Sequence, residues 1–376
     1  VSGIASISGS VSVYITSGTV KLSVFGGGEY GYVGTGDDLL TIDISDSEII
    51  GDVFGGGRYS STNVSSLELS INNSEVDGDV FGGGMYGLLT SDTVNINLVG
   101  KETTIGGSVY GGGLGTEGEL ATVVSERTIV INGPTILGSV YGGSRDGDDN
   151  YVEAENGYGV CTTNIYILSG NISSGSSGNV YGGAYKGRSK MNANIYVGSA
   201  VSEQIGYPVE RTFSIHSIFG GASVGQVDDD YETSTVLLFG NTSIRIGGEG
   251  YTGSITGNVF GEGDYCRISG SADIEFIGFS NPSDVSMLSI QKADSVTLVD
   301  TELVLDGDVD GNSTSGSAKL SINDVGMLTL VGHGYGARSG LTMNAQVSTL
   351  SGYESVHEVE FTEGDEYLVK AMNYLH

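Results

Sequence analysis

One short glycine-rich signature recurs eight times along this chain, and it constrains the fold more than any other feature. Each copy is Val or Ile, then Phe or Tyr, then three residues that are mostly glycine. The copies occupy residues 24–28, 53–57, 80–84, 109–113, 140–144, 180–184, 218–222 and 259–263. Their starting positions lie 29, 27, 29, 31, 40, 38 and 41 residues apart. Repeats of this length predict a solenoid, in which each coil buries its apolar face against its neighbours.

The segments between the signatures have the pattern of β-strands. Residues 41–45 and 94–98 carry bulky apolar side chains at alternate positions, separated by Thr, Ser, Asn or Asp. This period of two is typical of a strand with one buried and one exposed face. A segment as long as one repeat holds two or three such strands, too few to fold alone. The predicted fold is therefore all-β, a parallel β-helix (β-solenoid) of roughly ten to twelve coils, with about 27–41 residues in each coil.

The aromatic residue of each signature is expected to stack on its equivalent in the next coil, because coils repeat about every 4.8 Å along the axis. This predicts a structural ladder that faces the interior. Its members are Phe25, Phe54, Phe81, Tyr110, Tyr141, Tyr181, Phe219 and Phe260. The glycines that follow predict a corner with left-handed backbone torsions, or one where coils approach too closely for a Cβ atom. No helical pattern follows any copy, which argues against a phosphate-binding loop.

The chain is predicted to divide at the end of the eighth signature. Residues 1–265 form signature-bearing coils, and residues 266–376 form a degenerate continuation of the same solenoid. A second pattern takes over in this later part, with Val296, Leu328 and Val356 at equivalent positions. Their spacings of 32 and 28 residues again correspond to one coil.

Two segments and the signature itself resemble known families. Residues 322–330 and 349–356 look like the coil-forming phrase of large bacterial β-helix surface proteins, the adhesin-like and autotransporter-passenger group. The glycine signature is similar to glycine-rich repeats in adhesin-like exoproteins of anaerobic and gut microbes. The resemblance implies a β-helical architecture and an extracellular or cell-surface location, and no active site comes with it.

The charge of the chain limits its partners. There are 15 Lys and Arg residues against 46 Asp and Glu, which gives a formal net charge of −31. Such a surface repels nucleic acid and anionic membranes, so no nucleic-acid partner and no membrane insertion are expected. From the fifth signature onward the coils gain acidic insertions, including residues 145–155 and 228–232. Insertions in a solenoid emerge as loops on one side, where they serve either as a binding side or as solvated surface.

Two acidic runs contain candidate calcium ligands. The candidates are Asp306, Asp308, Asp310, Asp146, Asp148 and Asp149. The first three begin a D-x-D-x-D-G calcium loop, but Ser317 stands at the twelfth position, where a bidentate Glu is needed. The same run also resembles an imperfect copy of the glycine-rich signature. No other cofactor is expected.

The two cysteines are expected to be free thiols. Cys161 and Cys266 lie 105 residues apart in the sequence. They fall in coils separated by about three steps, or roughly 14 Å at the coil spacing, which is beyond the reach of a disulfide.

The repetition favours a non-enzymatic structural or adhesive role, because a rod needs similar coils and no singular site. The open strand edges of a solenoid pair with another molecule unless they are capped. The chain is therefore interpreted as a stiff rod of an extracellular fibre or stalk, which stacks end to end with copies of itself or continues into further coils of a longer chain. A β-helix polysaccharide lyase or glycoside hydrolase is one alternative, although sugar subsites usually include Trp, which this chain lacks.

The other alternative is a non-catalytic module that binds host or environmental glycans through tyrosines. Tyr30, Tyr59 and Tyr86 each stand two residues after a glycine triplet, and Tyr265 holds the corresponding place in the eighth copy. Outward-facing rings would form a stripe for sugar rings, whereas inward-facing rings would belong to the core. The inward orientation is expected here.

Overall fold

The chain folds as a parallel β-solenoid in the computed structural model. The structure describes residues 6–116, 118–152, 158–172, 178–198, 211–223, 236–247, 252–264, 266–279, 289–305, 322–331, 340–343 and 356–361. These residues contain 31 β-strands and no helix. Parallel pairing joins 27 of the strands into one continuous sheet, and the remaining four form two small parallel sheets. The predicted fold class is confirmed.

Each early coil contains a long strand, a two-residue strand and the two-residue signature strand. The first four coils are β1 (Val11–Thr16), β2 (Thr19–Val20) and β3 (Val24–Phe25); β4 (Leu39–Ser45), β5 (Glu48–Ile49) and β6 (Val53–Phe54); β7 (Thr62–Asn72), β8 (Glu75–Val76) and β9 (Val80–Phe81); and β10 (Leu89–Val99), β11 (Thr104–Ile105) and β12 (Val109–Tyr110).

The strands of the longer coils follow the same order. They are β13 (Leu120–Ile136), β14 (Val140–Tyr141), β15 (Asp148–Asp149), β16 (Cys161–Ile172), β17 (Val180–Tyr181), β18 (Met191–Gly198), β19 (Thr212–Ile215), β20 (Ile218–Phe219), β21 (Val236–Leu238), β22 (Thr242–Gly247), β23 (Thr252–Ile255) and β24 (Asn258–Phe260). After the last signature come β25 (Arg267–Ile268), β26 (Ala272–Ile277), β27 (Ser289–Val299), β28 (Glu302–Leu305), β29 (Ile322–Val331), β30 (Gly340–Met343) and β31 (Val356–Phe361).

The stack continues beyond the eighth signature, with one change of register from the predicted alignment. Val296 in β27 pairs with Leu328 in β29, as the second pattern predicts. Leu328 in turn pairs with Val359, and Val356 pairs with Val325. The predicted equivalence of Leu328 and Val356 is therefore wrong by three residues, because this coil is 31 residues long rather than 28.

Alternate residues of the long strands fill one continuous core. In β4 the side chains of Leu40, Ile42 and Ile44 are completely buried, and their neighbours in the sequence are partly exposed. Ile42 stacks on Leu69 of the next coil, so each apolar row is covered by the equivalent row above and below. Full burial of one such side chain stabilises the fold by about 1.5 to 3 kcal/mol.

The first glycine of each signature allows neighbouring coils to come into contact. A Cβ atom on Gly55 would collide with the carbonyl oxygen of Gly82 in the next coil, and one on Gly82 would collide with that of Gly111. Among the described glycines with positive φ, none belongs to a signature. Of the two predicted reasons for these glycines, close approach of the backbones is therefore the one that applies.

Candidate functional site

The eight signature aromatics form one uninterrupted stack. Neighbouring ring centroids lie 4.6 to 4.9 Å apart, and neighbouring planes deviate from parallel by 9° or less. All are buried except the first, Phe25, which is partly exposed. Stacked pairs of this kind add about 0.5 to 1.5 kcal/mol each beyond the burial of their surface.

The stack forms a second core on the opposite side of the signature strand from the main core. Val80 packs into the main core, whereas the next residue, Phe81, belongs to a separate cluster. Consecutive side chains of a strand point to opposite faces, so both cannot face the interior. The residues that follow the triplets cover the rings: Met85, Leu114 and Tyr185 pack against them. The predicted inward direction of the ladder is therefore wrong, although the rings are buried.

A polar ladder runs beside the aromatic one. Its members immediately precede the signatures and are Ser23, Asp52, Asp79, Ser108, Ser139, Asn179, Ser217 and Asn258. The backbone N–H of each member after the first donates a hydrogen bond of 2.6 to 3.2 Å to the side-chain oxygen of the member in the preceding coil. These bonds satisfy backbone donors at a corner where the strand ladder is interrupted.

The tyrosines after the triplets form a separate row, and it faces outward. Tyr30, Tyr59 and Tyr86 are 64%, 44% and 50% exposed. Their centroids lie 5.5 and 6.0 Å apart in a stacked arrangement. The expected inward orientation is wrong for these three, and Tyr265 lies outside the described residues. Because the ring faces cover one another, the middle ring presents only its edge to solvent, and the row does not offer flat faces to a line of sugar rings.

A buried ion pair joins the fifth and sixth coils of the solenoid. Arg127 and Asp149 have fully buried side chains, and Arg127 Nη2 is 3.1 Å from Asp149 Oδ1. Arg127 also donates hydrogen bonds to the Thr122 hydroxyl, at 2.8 Å, and to the Gly142 carbonyl, at 2.6 Å. Its Nε is buried without a partner. The preceding coil carries the apolar Val94 at the position of Arg127, and the following coil carries Thr163.

Asp149 is held by four side chains and one backbone group. Besides Arg127, its carboxylate accepts hydrogen bonds from the hydroxyls of Thr122, Ser144 and Ser189 and from the Ser144 N–H. Ser144 replaces the third glycine of the fifth signature, so the drift from Gly to Ser there supplies a ligand for this carboxylate. Arg127 and Asp149 are closed to solvent.

The other aspartates of this run have different partners. Asp148 is buried and accepts hydrogen bonds from the Arg188 backbone N–H and guanidinium, at 2.7 to 3.1 Å. Asp146 lies 3.5 Å from Arg145. Asp146, Asp148 and Asp149 thus face three different arginines and form no shared oxygen cluster. Within the described ranges no group of three or more His, Cys, Asp or Glu side chains is placed to hold a metal ion.

The other predicted calcium ligands, Asp306, Asp308 and Asp310, lie outside the described residues. Calcium binding stays a prediction for both acidic runs. Sequence reasoning missed the Arg127 cluster because it examined carboxylate spacing alone. The available signal was an arginine at a position where the equivalent residues of other coils, Leu67 and Val94, are apolar.

Both cysteines are free and buried. Cys266 Sγ lies 3.3 Å from the Ala222 carbonyl, and burial raises the pKa of this thiol to about 12. Burial also raises the pKa of the Cys161 thiol. We therefore expect neither cysteine to react with a water-soluble disulfide reagent at pH 8 until the chain is unfolded, because the thiolate is the reactive species. Rapid release of chromophore by the folded protein would contradict this expectation.

A groove of about 410 Å³ crosses the side of five consecutive coils. Its lining residues are Gly36, Asn63, Val64, Thr90, Ser91, Asp92, Val123, Val124, Ser125, Asn150, Tyr158, Gly159 and Val160. Asn63, Thr90 and Val123 occupy equivalent positions in successive coils. The last three lining residues end the segment between β15 and β16, called the inserted segment, and they line one side of the groove.

Comparison with known proteins does not assign the chain to a family. No protein-family model, no curated protein and no solved structure matches it. In the described part of the chain no helix has the length and hydrophobicity needed to span a bilayer.

Proposed function

We propose that the chain is a non-enzymatic structural rod of an extracellular or cell-surface fibre or stalk, in which its first described coil is covered by a copy of the chain stacked end to end or by further coils of a longer polypeptide. The observation that carries the proposal is the outer surface of the first described coil. This coil presents to solvent the kind of surface that interior coils bury against each other.

The strand edges of the first coil support this proposal. β1, β2 and β3 pair with β4, β5 and β6, and among the described strands no other partner contacts them. Val13 and Ile15 are only partly buried, whereas the equivalent Ile42 and Ile44 are completely buried. A further coil would satisfy the open backbone groups and cover these side chains in the same way that β4 is covered by β7.

The first coil is also unusually apolar and weakly charged at its surface. Five of the twelve large exposed apolar side chains of the described chain lie in residues 6–36, namely Ile7, Tyr14, Leu22, Tyr30 and Tyr32. Residues 6–36 contain only two charged side chains, Lys21 and Glu29. Stacking at this end therefore buries apolar surface with little direct repulsion, although the formal charge of −31 predicts stronger assembly in salt.

The distribution of carboxylates favours a structural role over hydrolysis. Glycoside hydrolysis needs two carboxylates that flank a bound sugar at roughly 5 to 9.5 Å from each other. Among the described residues, the groove on the side of the solenoid is lined by one carboxylate, Asp92. The fully buried Asp149 is neutralised by Arg127 and has no access to solvent. The extracellular setting is supported by the resemblance to bacterial surface proteins.

Sedimentation velocity at increasing protein concentration tests end-to-end stacking. We expect the sedimentation coefficient of the wild type to rise with concentration. Tyr30→Asp places a carboxylate at the outer end of the tyrosine row and should raise the concentration needed for assembly by about tenfold or more. Tyr86→Asp is the matched control, because Tyr86 has similar exposure in the same row but lies two coils further in.

Two outcomes would contradict end-to-end stacking between copies. One is a monomeric wild type at every concentration and salt condition. The other is equal assembly of Tyr30→Asp and the wild type, which would exclude the first coil as the contact.

A further inference from the structure

We infer that the groove on the side of the solenoid is a binding site for a linear, uncharged oligosaccharide. This inference goes beyond the structural role and does not depend on stacking, because the groove lies on the side of the coils rather than at their end. It rests on a fixed wall, on polar side chains without partners, and on the spacing of the coils.

The wall of the groove is held in place by a buried side chain. Asn150 is 3% exposed and has a positive φ of 52°. Its amide bonds the backbone of Val124, with Val124 N–H donating to Oδ1 at 2.9 Å and Nδ2 donating to Val124 O at 2.7 Å. Nδ2 also donates to Gly159 O at 3.1 Å, and Lys190 Nζ donates to Tyr158 O at 2.6 Å. The side chain of Asn150, which directly follows β15, thus joins Gly159 of the inserted segment to Val124 of β13.

The polar side chains that line the groove are available for a ligand. Asn63, Asp92 and Ser125 are exposed and Thr90 is partly exposed. None of these four side chains has a hydrogen-bond partner among the described residues, in contrast to Ser91, whose hydroxyl donates to two backbone carbonyls. Amide, hydroxyl and carboxylate groups of this kind accept and donate hydrogen bonds to sugar hydroxyls.

The groove also offers apolar surface for the carbon–hydrogen faces of sugar rings. Val160 and Tyr158 are 49% and 43% exposed on the inserted wall, and Val64, Val123 and Val124 also line the groove. Tyr158 does not stack on another described aromatic residue, whereas Tyr59 is stacked between two other tyrosines. The lining thus mixes polar and apolar side chains, which suits a sugar with both hydroxyl groups and carbon–hydrogen faces.

The spacing of the coils selects a sugar chain over an extended peptide. Equivalent side chains recur about every 4.8 Å along the axis, which is close to the length of one pyranose unit in an extended chain. An extended peptide repeats every two residues, or about 6.6 to 6.8 Å, and does not stay in register with the coils. Five coils span about 19 Å, which accommodates about four sugar units.

The charge of the site selects an uncharged ligand. Within the described part of the chain, Asp92 is the one charged side chain that lines the groove, and the whole chain carries a formal charge of −31. Acidic sugars are repelled by this field, whereas neutral hydroxyls can donate to the Asp92 carboxylate.

Isothermal titration with four neutral hexasaccharides, cellohexaose, xylohexaose, mannohexaose and maltohexaose, tests the inference. We expect at least one to bind, and Tyr158→Ala and Asp92→Ala each to weaken binding by about tenfold. Tyr86→Ala and Asp77→Ala are matched controls, because both residues are exposed and lie outside the groove. Circular dichroism melting curves establish that all variants are folded.

Three results would overturn the inference. The first is no binding of any of the four hexasaccharides. The second is binding that the two groove variants leave unchanged. The third is binding of an oligolysine peptide in place of the sugars, which would make the groove a general acidic surface. Retained sugar binding by the Tyr30→Asp variant separates the site from end-to-end stacking.

Discussion

Replacing Asp149 with leucine is expected to lower the free energy of unfolding by about 3 to 5 kcal/mol, because it leaves the Arg127 guanidinium buried with no opposite charge. The substitution also removes the acceptor for the hydroxyls of Thr122 and Ser144. Urea denaturation followed by far-ultraviolet circular dichroism measures the change.

The repeat supplies a matched control for this variant. Leu67 stands two coils before Arg127 in the same row, and Leu89 stands two coils before Asp149 in its row. The double variant Arg127→Leu with Asp149→Leu therefore installs side chains that the solenoid already accommodates at these positions. We expect it to be less destabilised than either single variant, since buried ion pairs can be replaced by apolar groups of similar volume. A double variant as unstable as the sum of the two single changes would contradict a paired role.

Truncation in the aromatic stack is the second large effect. Phe81→Ala should cost about 3 to 5 kcal/mol, because it leaves a cavity in a closely packed interior. The ring of Phe81 is 1% exposed and stacks on both Phe54 and Tyr110, at centroid distances of 4.6 and 4.8 Å. The urea midpoint of the variant should fall accordingly.

Tyr86→Ala is the control for this truncation, because it removes an aromatic ring of the same coil from the exposed row. We expect a much smaller change in its urea midpoint, since an exposed ring leaves no cavity. A wild-type midpoint for Phe81→Ala would mean that the stack does not stabilise the solenoid.

The sequence predicts the solenoid because the same glycine-rich signature is repeated eight times. Each signature places an aromatic residue before a glycine at which a Cβ atom would collide with the next coil, and the copies must lie in register for the long strands to bury their apolar rows. The direction of the rings was predicted wrongly because Val80 and Phe81 are adjacent, and one of the two must face away from the main core. The cover that buries Phe81 comes from Met85, beyond the glycines, where no periodic pattern indicates it.

The candidate sites were less predictable for a physical reason. The groove is formed by residues of five coils, and its wall depends on the single amide of Asn150. The ion pair of Arg127 and Asp149 likewise depends on two residues that are 22 positions apart. Such contacts do not recur from coil to coil, so the repetition that reveals the fold does not reveal them.

Negative-stain electron microscopy of the wild-type chain at increasing concentration tests the central claim most directly. End-to-end stacking predicts unbranched filaments of constant width, the width of one coil, that lengthen as concentration or salt rises. Short separate particles under every condition would contradict the claim.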